Sequence, residues 1–497
     1  MAEKAQKLKL NYGKTILIGF AFMASSIAWG VYDPYVTTLL NKLLGQSETI
    51  AAWSQALVNK FPVLLTFMQA QGEDVGTAAS GFTLVPLFIG VIMTFDNIFG
   101  VIFQPAFGKL SDRCHTRIGK RKPFILIGAP LAAIVFALIP RVALGANASI
   151  PAVMCCIILF VLIMSLWRAP CVALMPDLTP PVLRSEGNSV INLVGGIGSL
   201  LALLAGTIVC AIGGWDSATQ ENEYIPNVFL FASIIMVVCT LIVAFFVKEP
   251  DSRLKVKMDA NAAADEKAKR KAEKEAAKAE KARLKAIKLT KGERVSLVFM
   301  LIALFFLFCG SNAIQTFFAL FASEMLGLSA GDATKILVLF AVATAVGAIP
   351  SGIIGRKIGR KKSIVLGLAL FISAFAAYLI VDAITGNGMA LIYVLLIVGG
   401  FANMLITVNT LPLVLEIGGL DKVGTFTGYY YTATFSAQIA TPIVYGIVRM
   451  VTGTYASLFY YCPICFIISL LCVLFVRHGE SEEITEEIID EARMADD

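Results

Sequence analysis

Residues Thr94–Phe124 read TFDNIFGVIFQPAFGKLSDRCHTRIGKRKPF, and this stretch decides the fold. It begins as an apolar segment that carries one carboxylate, Asp96, and it ends in a cluster of basic residues around Pro123. A carboxylate at the centre of a membrane helix costs on the order of 2.5–3.5 kcal/mol, so it must face a cavity or a partner. Basic residues gather in the cytoplasmic loops of membrane proteins. The stretch therefore predicts a membrane-spanning helix with a functional acid, followed by a cytoplasmic loop.

The composition extends this prediction to the whole chain. Of its 497 residues, 57% are hydrophobic and 15% are charged, whereas soluble domains carry about 25% charged residues. The apolar residues form long runs, and a helix of ~20 residues crosses a ~30 Å hydrocarbon core. Twelve runs are predicted to span the membrane: 15–39, 83–109, 123–142, 151–177, 188–213, 225–247, 295–320, 335–354, 363–381, 389–416, 424–450 and 456–476.

Four segments rich in lysine or arginine give the predicted orientation. They are the N-terminus, the first basic loop (110–122), the segment 248–294 and the second basic loop (356–362). With twelve spans, all four lie on one side of the membrane, and basic loops mark that side as the cytoplasm. We therefore expect a multi-pass protein of the plasma membrane with both termini in the cytoplasm. No small-residue cleavage site precedes the first span, so we expect that helix to be retained.

The two basic loops also reveal an internal repeat. Gly119–Lys122 reads GKRK, and Gly359–Lys362, 240 residues later, reads GRKK. A repeat at about half the chain length is typical of duplicated transporters. The predicted organisation is a six-helix half (1–247), a charged, helical cytoplasmic linker (248–294), a second six-helix half (295–476) and an acidic cytoplasmic tail (477–497). The linker either contacts anionic lipid headgroups or simply joins the halves.

No pattern in the sequence indicates an enzyme. The two histidines, His115 and His478, lie outside the predicted spans, while nine of the ten cysteines lie inside them. The sequence contains no phosphate-binding G-x-x-x-x-G-K-[ST] motif and no Ser/His or Cys/His set at a membrane edge. We therefore expect no catalytic residues, no bound metal or other cofactor, and no nucleic-acid partner.

The first basic loop is predicted to control the opening of the cytoplasmic side. Gly119 would permit a tight turn before the third span, and Asp112 could bind a helix N-terminus or pair with an arginine. Ion pairs of this kind close an entrance when they form and release it when they break. The predicted gating residues are Asp112, Arg113, Gly119 and Arg121. The alternative is a loop that is merely charged.

The same residues carry a resemblance to known transporters. Gly108-Lys-Leu-Ser-Asp112-Arg113, followed by Gly119-Lys-Arg121-Lys122, resembles the loop signature of the major facilitator superfamily. The stretches 104–128 and 168–200 are similar to the glycoside–pentoside–hexuronide cation symporters and the sucrose–proton symporters. The resemblance implies an all-α membrane protein with twelve transmembrane helices in two six-helix halves. It also implies a secondary transporter that couples a sugar or glycoside to a cation by alternating access, and we expect the protein to be a monomer.

Three carboxylates are candidates for the cation-coupling site. Asp96 lies near the middle of the second span, and Asp96-Asn97 resembles a pair in bacterial sucrose-symporter-like proteins. The resemblance implies the same role for Asp177, at the end of the fourth span, and Asp33 is the third candidate. Gln104-Pro105 stands where melibiose carriers have Asp-Pro, so H⁺ is expected rather than Na⁺. The alternatives are a structural hydrogen bond for Asp96 and a membrane-boundary charge for Asp177.

Aromatic and amide side chains supply the candidate sugar contacts. A sugar stacks its C–H face on a ring and bonds its hydroxyls to polar groups. Arg168 lies ~13 Å deep by the helical rise, so it could reach toward Asp96. The predicted substrate-binding residues are Trp29, Tyr32, Asn97, Arg168, Asn312, Gln315, Asn403, Asn409, Tyr429 and Gln438. An interfacial aromatic belt and packing amides are the structural alternatives.

Two other functions remain open at this point. The first is an exporter of amphipathic compounds, which would use the same architecture. The second is a membrane sensor that has lost transport activity. The identity of the sugar is not readable from the sequence.

Overall fold

The computed structural model describes residues 10–70, 75–179, 184–249, 290–385, 389–418 and 423–478. Within these ranges it contains helices and connecting turns and no strand. The predicted helix of the linker (264–289) and the acidic tail beyond residue 478 lie outside the described residues. The all-α fold class is confirmed.

Fifteen α-helices form the described part of the chain. They are α1 (Tyr12–Gly45), α2 (Glu48–Lys60), α3 (Thr66–Ala70), α4 (Val75–Gly81), α5 (Val85–Asp112), α6 (Lys122–Ala143), α7 (Ile150–Leu178), α8 (Arg184–Gly213), α9 (Glu221–Phe246), α10 (Lys291–Leu326), α11 (Ala330–Ile358), α12 (Arg360–Thr385), α13 (Met389–Gly418), α14 (Val423–Thr452) and α15 (Leu458–Phe475).

Eleven of the described helices are long and apolar enough to cross a membrane. The predicted eleventh span is present as α14, whose 30 residues are long enough for a crossing. Its first half carries three tyrosines with threonine, serine and glutamine side chains, so it is less apolar than the others. Twelve spans are therefore consistent with the structure, although eleven of the described helices are both long enough and apolar enough to cross a membrane.

A short helical segment between α1 and α5 is absent from the sequence prediction. It consists of α2, a 3-10 turn at Pro62–Leu65, α3 and α4. Ser47 caps α2 by accepting a hydrogen bond from the Ile50 amide, and the Ser54 hydroxyl accepts one from the Leu84 amide at the start of α5. These contacts attach the segment to α5.

The described helices form two compact units. The first includes α1–α9 together with residues 312–338 and 438–458, and the second includes residues 290–311, 339–437 and 459–478 apart from the undescribed positions. The predicted division of the sequence into halves and linker stays a prediction.

An aromatic stack holds the core of the first unit. Phe160 of α7 stacks on Phe136 of α6 with ring centroids 4.8 Å apart, and on Tyr32 of α1 at 5.5 Å. Phe136 also contacts Phe229 of α9 at 4.5 Å. All four side chains are fully buried. The stack therefore fixes α1 and α7, which carry candidate site residues, relative to each other.

The second unit is packed in a similar way. Phe371 of α12 stacks on Phe466 of α15 at 4.6 Å, and Tyr378 of α12 contacts Phe459 of α15 at 4.2 Å. Gly310 of α10 lies against the Phe466 ring, where a larger side chain would collide. Small residues at such contacts let membrane helices approach closely.

Candidate functional site

Three ionisable side chains from different helices lie near one another inside the first unit. Asp33 lies on α1, Asp96 on α5 and Arg168 on α7, and each is half-buried. Asp33 and Asp96 are close enough to repel each other, and Arg168 is close enough to attract Asp96. We call this group the Asp33–Asp96–Arg168 cluster. It is formed by residues far apart in the sequence, and it places their charges within membrane-spanning helices.

Local hydrogen bonds orient Asp96. Its Oδ1 accepts bonds from the Asn97 backbone amide at 2.6 Å and from the Asn97 side-chain amide at 2.8 Å. Asn97 therefore supports the carboxylate directly, in addition to its predicted position near the substrate.

The aromatic residues beside the cluster play two different parts. The guanidinium carbon of Arg168 lies 5.9 Å from the centroid of the Trp29 ring. Trp29 itself is half-buried. Tyr32 is fully buried between Trp29 and Phe160. The Trp29 Nε1–H and the Tyr32 hydroxyl are buried without a hydrogen-bond partner among the described residues. Unpaired buried donors cost free energy, so a polar ligand or water would stabilise them.

The remaining substrate candidates fall in different places. In the first unit, Asn312 and Gln438 are half-buried and Gln315 is exposed. The second unit contains Asn403, Asn409 and Tyr429. Asn409 donates hydrogen bonds to the carbonyls of Leu405 at 2.8 Å and Ser351 at 3.5 Å, so its amide joins α13 to α11. The structure thus brings Trp29, Tyr32, Asp33, Asp96, Asn97 and Arg168 together.

A second charged site surrounds Arg121 at the start of α6. This side chain is buried, and its Nε donates to Asp177 Oδ2 at 2.8 Å. Its other nitrogens pair with Asp112, the Ser111 hydroxyl and the Gly108 carbonyl. We call these residues the Arg121 network. It connects the end of α5, the start of α6 and the end of α7.

Asp177 belongs to this network rather than to the surroundings of Arg168. Its carboxylate accepts bonds from Arg121 and from Lys120 Nζ at 3.1 Å. Partial burial raises the pKa of Asp177, but the bonds from Arg121 and Lys120 outweigh burial and hold the pKa below its usual range. Asp177 is therefore ionised at neutral pH and paired with two cationic side chains. Arg113, also predicted for gating, is exposed and ends α5 through its backbone amide.

Glu249 is a member of this charged site that the sequence analysis missed. Its carboxylate accepts hydrogen bonds from three successive amides at the start of α6, those of Lys120 at 2.9 Å, Arg121 at 3.0 Å and Lys122 at 3.1 Å. Helix N-termini attract anions because their first amides have no partner in the helix. The available sequence signal was a lone glutamate immediately after the sixth span.

Gly119 lets Glu249 reach these amides. Its φ of +109° lies in the left-handed region that favours glycine. The Glu249 carboxylate occupies the space where a Cβ on Gly119 would lie. Both the backbone conformation and the close approach therefore require glycine here.

The second basic loop repeats part of this arrangement within the second unit. Gly359 has a φ of +94°, and Arg360 pairs with Glu416 near the end of α13. Lys361 Nζ donates to the Leu474 carbonyl near the end of α15 at 3.1 Å. In the first unit, Lys122, which lies one position further from its glycine, donates to the Ala244 carbonyl near the end of α9 at 2.8 Å. The internal repeat therefore extends to side-chain contacts.

Neither site has the composition of a metal centre. Among the described residues, no group of three or more His, Cys, Asp or Glu side chains is placed to hold a metal ion. The chemistry these residues offer is ion pairing, proton binding and hydrogen bonding.

Comparisons with known proteins agree with the fold. The family model described as Major Facilitator Superfamily matches residues 15–442 and again 300–489. The sucrose transport protein SUC3 of Arabidopsis thaliana is 26% identical over 227 residues, which are 38% of this chain and 37% of that protein. The chain thus aligns with little more than a third of this curated relative's length.

Solved structures give the same architecture over almost the whole chain. A D-xylose–proton symporter superposes with a TM-score of 0.59 at 16% identity, covering 94% of this chain and 96% of its own. A structure of proton-dependent oligopeptide transporters superposes with a TM-score of 0.58 at 13% identity, covering 94% and 99%. Identities this low show similarity of fold alone.

Proposed function

Because the chain belongs to the Major Facilitator Superfamily and is a multi-pass membrane transporter, we propose that it couples sugar or glycoside uptake to H⁺ by alternating access. The observation that carries this proposal is the Asp33–Asp96–Arg168 cluster beside the half-buried ring of Trp29. The SUC3 relative, named as a sucrose transport protein, supports a sugar as cargo.

The charges of the cluster favour a single coupled cation. Two carboxylates and one guanidinium sum to −1 − 1 + 1 = −1. One proton bound to Asp96 or Asp33 would bring the cluster to neutrality. Because an uncompensated charge inside the membrane is costly, the neutral, sugar-loaded cluster would change conformation more readily than the charged one. H⁺ and sugar would then stabilise the same loaded state.

The polar and aromatic groups beside the cluster suit a polyhydroxy ligand. The exposed part of the Trp29 ring offers a stacking surface, while its Nε1–H and the Tyr32 hydroxyl have no hydrogen-bond partner within the part of the chain that the structure describes. Sugar hydroxyls could accept these bonds directly or through water. Carboxylate oxygens of Asp33 and Asp96 would accept bonds from further hydroxyls.

Uptake into proteoliposomes tests the proposal. A panel of radiolabelled mono- and disaccharides is offered with a pH gradient, with a Na⁺ gradient, or with neither. We expect the pH gradient to concentrate at least one sugar. Accumulation driven only by Na⁺ would contradict H⁺ coupling, and no uptake of any sugar under either gradient would contradict the sugar assignment.

Asp96→Asn then locates the coupling site. It imitates the protonated acid, so we expect loss of accumulation driven by the pH gradient while passive exchange of the sugar continues. Asp382→Asn, which changes an exposed carboxylate on α12, is the matched control and should accumulate sugar as wild type does. If Asp96→Asn still concentrates sugar with wild-type pH dependence, Asp96 is not the coupling residue, and Asp33 or Asp177 becomes the candidate.

One observation favours an exporter of amphipathic compounds as the second candidate. The second unit contains an open groove of about 390 Å³, mostly apolar, between α10 and α14. It is lined by Leu301, Ile302, Phe305, Phe306, Tyr429, Thr432, Ala433 and Ser436. A planar apolar compound would suit the two phenylalanine rings. Proton-driven movement of a fluorescent amphipathic dye, with no sugar transported, would support this function instead.

A further inference from the structure

The N-terminus of α11 is held by side chains from α9 and from the loop before it. The Ala330 amide donates to Glu221 Oε1 at 3.3 Å, and the Gly331 amide donates to the Tyr224 hydroxyl at 3.1 Å. The Ser217 hydroxyl donates to Asp332 Oδ2 at 2.8 Å. These contacts all lie within the first compact unit. They join α9, from the first half of the sequence, to α11, from the second half.

The helix supplies its own cap only in part. The Asp332 amide donates to the Ser329 hydroxyl at 3.1 Å, and that hydroxyl donates back to Asp332 Oδ2 at 2.7 Å. The first amides of any helix lack partners inside the helix. Here the two amides preceding Asp332 depend on Glu221 and Tyr224. If α11 moved away from α9, both amides would lose these acceptors.

Burial and charge strengthen the junction. Tyr224 is fully buried, so its hydroxyl exchanges with water only when the helices separate. A Cβ on Gly206 of α8 would lie 2.9 Å from Gly331 Cα, which shows how closely α8 approaches α11. Lys42 at the end of α1 forms an ion pair with Glu221 and so attaches α1 to the same group.

The loop that presents Ser217 is also ordered. Asp216 accepts bonds from the Ala218 amide at 3.1 Å and the Thr219 hydroxyl at 2.7 Å. The Thr219 bond, helped by the amide of Ala218, holds the pKa of Asp216 below its usual range. Asp216 is therefore ionised at neutral pH, and it keeps the hydrogen bonds that hold the loop.

We propose that Lys42, Ser217, Glu221 and Tyr224, with Ser329 and residues 330–332 at the start of α11, form a latch that closes the transporter on the side opposite the basic loops. In the conformation seen here the latch is engaged. Opening on that side separates α9 from α11, breaks these contacts and exposes the α11 N-terminus to water. The inference rests on family membership as a transporter, and not on the sugar or the cation.

A native cysteine reports the state of the latch. Cys210 is buried near the end of α8 and lies close enough to Asp332, Asp216 and Tyr224 to interact with them electrostatically. Separation of α9 from α11 would expose its thiol. Labelling by a membrane-impermeant maleimide, located by peptide mass mapping, therefore measures opening without any transport assay. Cys210→Ser identifies the peptide signal.

The test compares three variants in proteoliposomes. Glu221→Gln removes the charge that Lys42 and the Ala330 amide contact, and Tyr224→Phe removes one hydroxyl while keeping the ring. Losing a hydrogen bond of this kind shifts an equilibrium by about tenfold, so we expect Cys210 to label about ten times faster in both. Glu223→Gln, an exposed glutamate on the same turn, should label at the wild-type rate.

The outcomes separate a latch from a structural contact. If Glu221→Gln does not fold, Tyr224→Phe decides the question. Wild-type labelling rates in the folded variants would overturn the proposal. Equal acceleration by Glu223→Gln would also overturn it, because surface charge alone would then explain the effect. None of these results depends on finding a transported sugar, so they stay separate from the proposed function.

Discussion

The first and second basic loops occupy corresponding places in the two halves of the sequence, and they turn in the same way. Each turns on a left-handed glycine, Gly119 or Gly359. Each places the following basic residues against a carboxylate near the end of the second helix after the loop, Asp177 on α7 or Glu416 on α13. The shared turn and the shared pair are what a duplication preserves.

The loops differ in how firmly they are held. Eleven positions separate Gly108 from Gly119, whereas seven separate Gly352 from Gly359. The longer loop surrounds a buried Arg121 with Asp112 and Asp177, and Glu249 caps the helix that follows. In the shorter loop, the side chain of Arg360 is 33% exposed and pairs with Glu416. Several partners therefore hold the Arg121 guanidinium in place, whereas water can reach the Arg360 guanidinium.

This difference indicates unequal roles for the two loops. A buried guanidinium without a partner is strongly unfavourable, so the Arg121 network must break and reform as a unit. A partly exposed ion pair is replaced by water at little cost. We infer that movement at the predicted cytoplasmic side is limited by the first loop.

The largest expected effect comes from removing the buried arginine. Arg121→Ala removes the bonds to Asp177, Ser111 and Gly108 together, and hydrogen bonds to charged groups contribute about 1.5–3 kcal/mol each, although Asp177 keeps its pair with Lys120. Arg360→Ala removes a half-exposed pair worth about 0–1 kcal/mol. Thermal unfolding of the two purified variants in detergent measures the difference.

The same pair of variants can break the comparison. Equal losses of stability would show that the two loops are held equally firmly. A transport rate that falls more for Arg360→Ala than for Arg121→Ala would show that the second loop limits the cycle.

The sequence predicted the local part of this picture and missed the long-range part. Gly119, the basic residues and Asp112 lie within eleven positions of one another, so their spacing indicates a turn and a charged loop. Asp177 lies 56 residues from Arg121, and Glu249 lies 128 residues away. No local pattern specifies such pairings, because they depend on how α6, α7 and α9 pack.

The candidate central site shows the same limit. Hydropathy and isolated charges were enough to select Asp33, Asp96 and Arg168, which the structure brings together. The amide of Asn409 was selected for its type, yet its hydrogen bonds go to backbone carbonyls. A polar side chain in a span indicates a buried partner, and the sequence does not say whether that partner is a ligand or a neighbouring helix. Helix α2 was missed because its 13 residues are too few to cross a membrane, and most of its side chains are exposed.

The next largest effect is expected at the turning glycines. Alanine in a left-handed conformation costs about 1–2 kcal/mol, so Gly119→Ala and Gly359→Ala should both destabilise their loops. Gly119→Ala should do so more, because its methyl group also displaces the Glu249 carboxylate from the α6 amides. The measurement is labelling of Cys114, a native thiol in the first basic loop, by an impermeant maleimide added to inside-out vesicles.

This labelling also tests orientation. We expect Cys114 to react in inside-out vesicles and not in intact cells. Gly119→Ala should increase the rate, and Gly359→Ala should leave it near the wild-type value. Reaction of Cys114 from outside intact cells would reverse the predicted topology.

A smaller effect is expected from the protonation of Asp177. Its pKa is held below the usual value because the bonds from Arg121 and Lys120 outweigh the opposing effect of burial. A lowered pKa stabilises the structure above the ordinary aspartate value of about 3.9, and this contribution is lost as the pH falls through the lowered pKa. Wild-type thermal stability should therefore decrease below about pH 4 by more than that of Asp177→Asn. Parallel pH profiles for the two proteins would contradict the assigned pairing.

The smallest effect is expected for Asp112→Asn, and it tests the outer part of the Arg121 network. The Asp112 side chain is 56% exposed, so its pair with Arg121 is worth about 0–1 kcal/mol. Arg121 keeps Asp177 in this variant, and we expect transport to slow by a few fold while sugar affinity stays unchanged. Exposed pairs are screened by salt, with a Debye length of about 3 Å at 1 M, so the difference from wild type should shrink as ionic strength rises. A salt-independent loss of sugar binding would instead place Asp112 at the substrate, and the first loop would then differ from the second in function as well as in firmness.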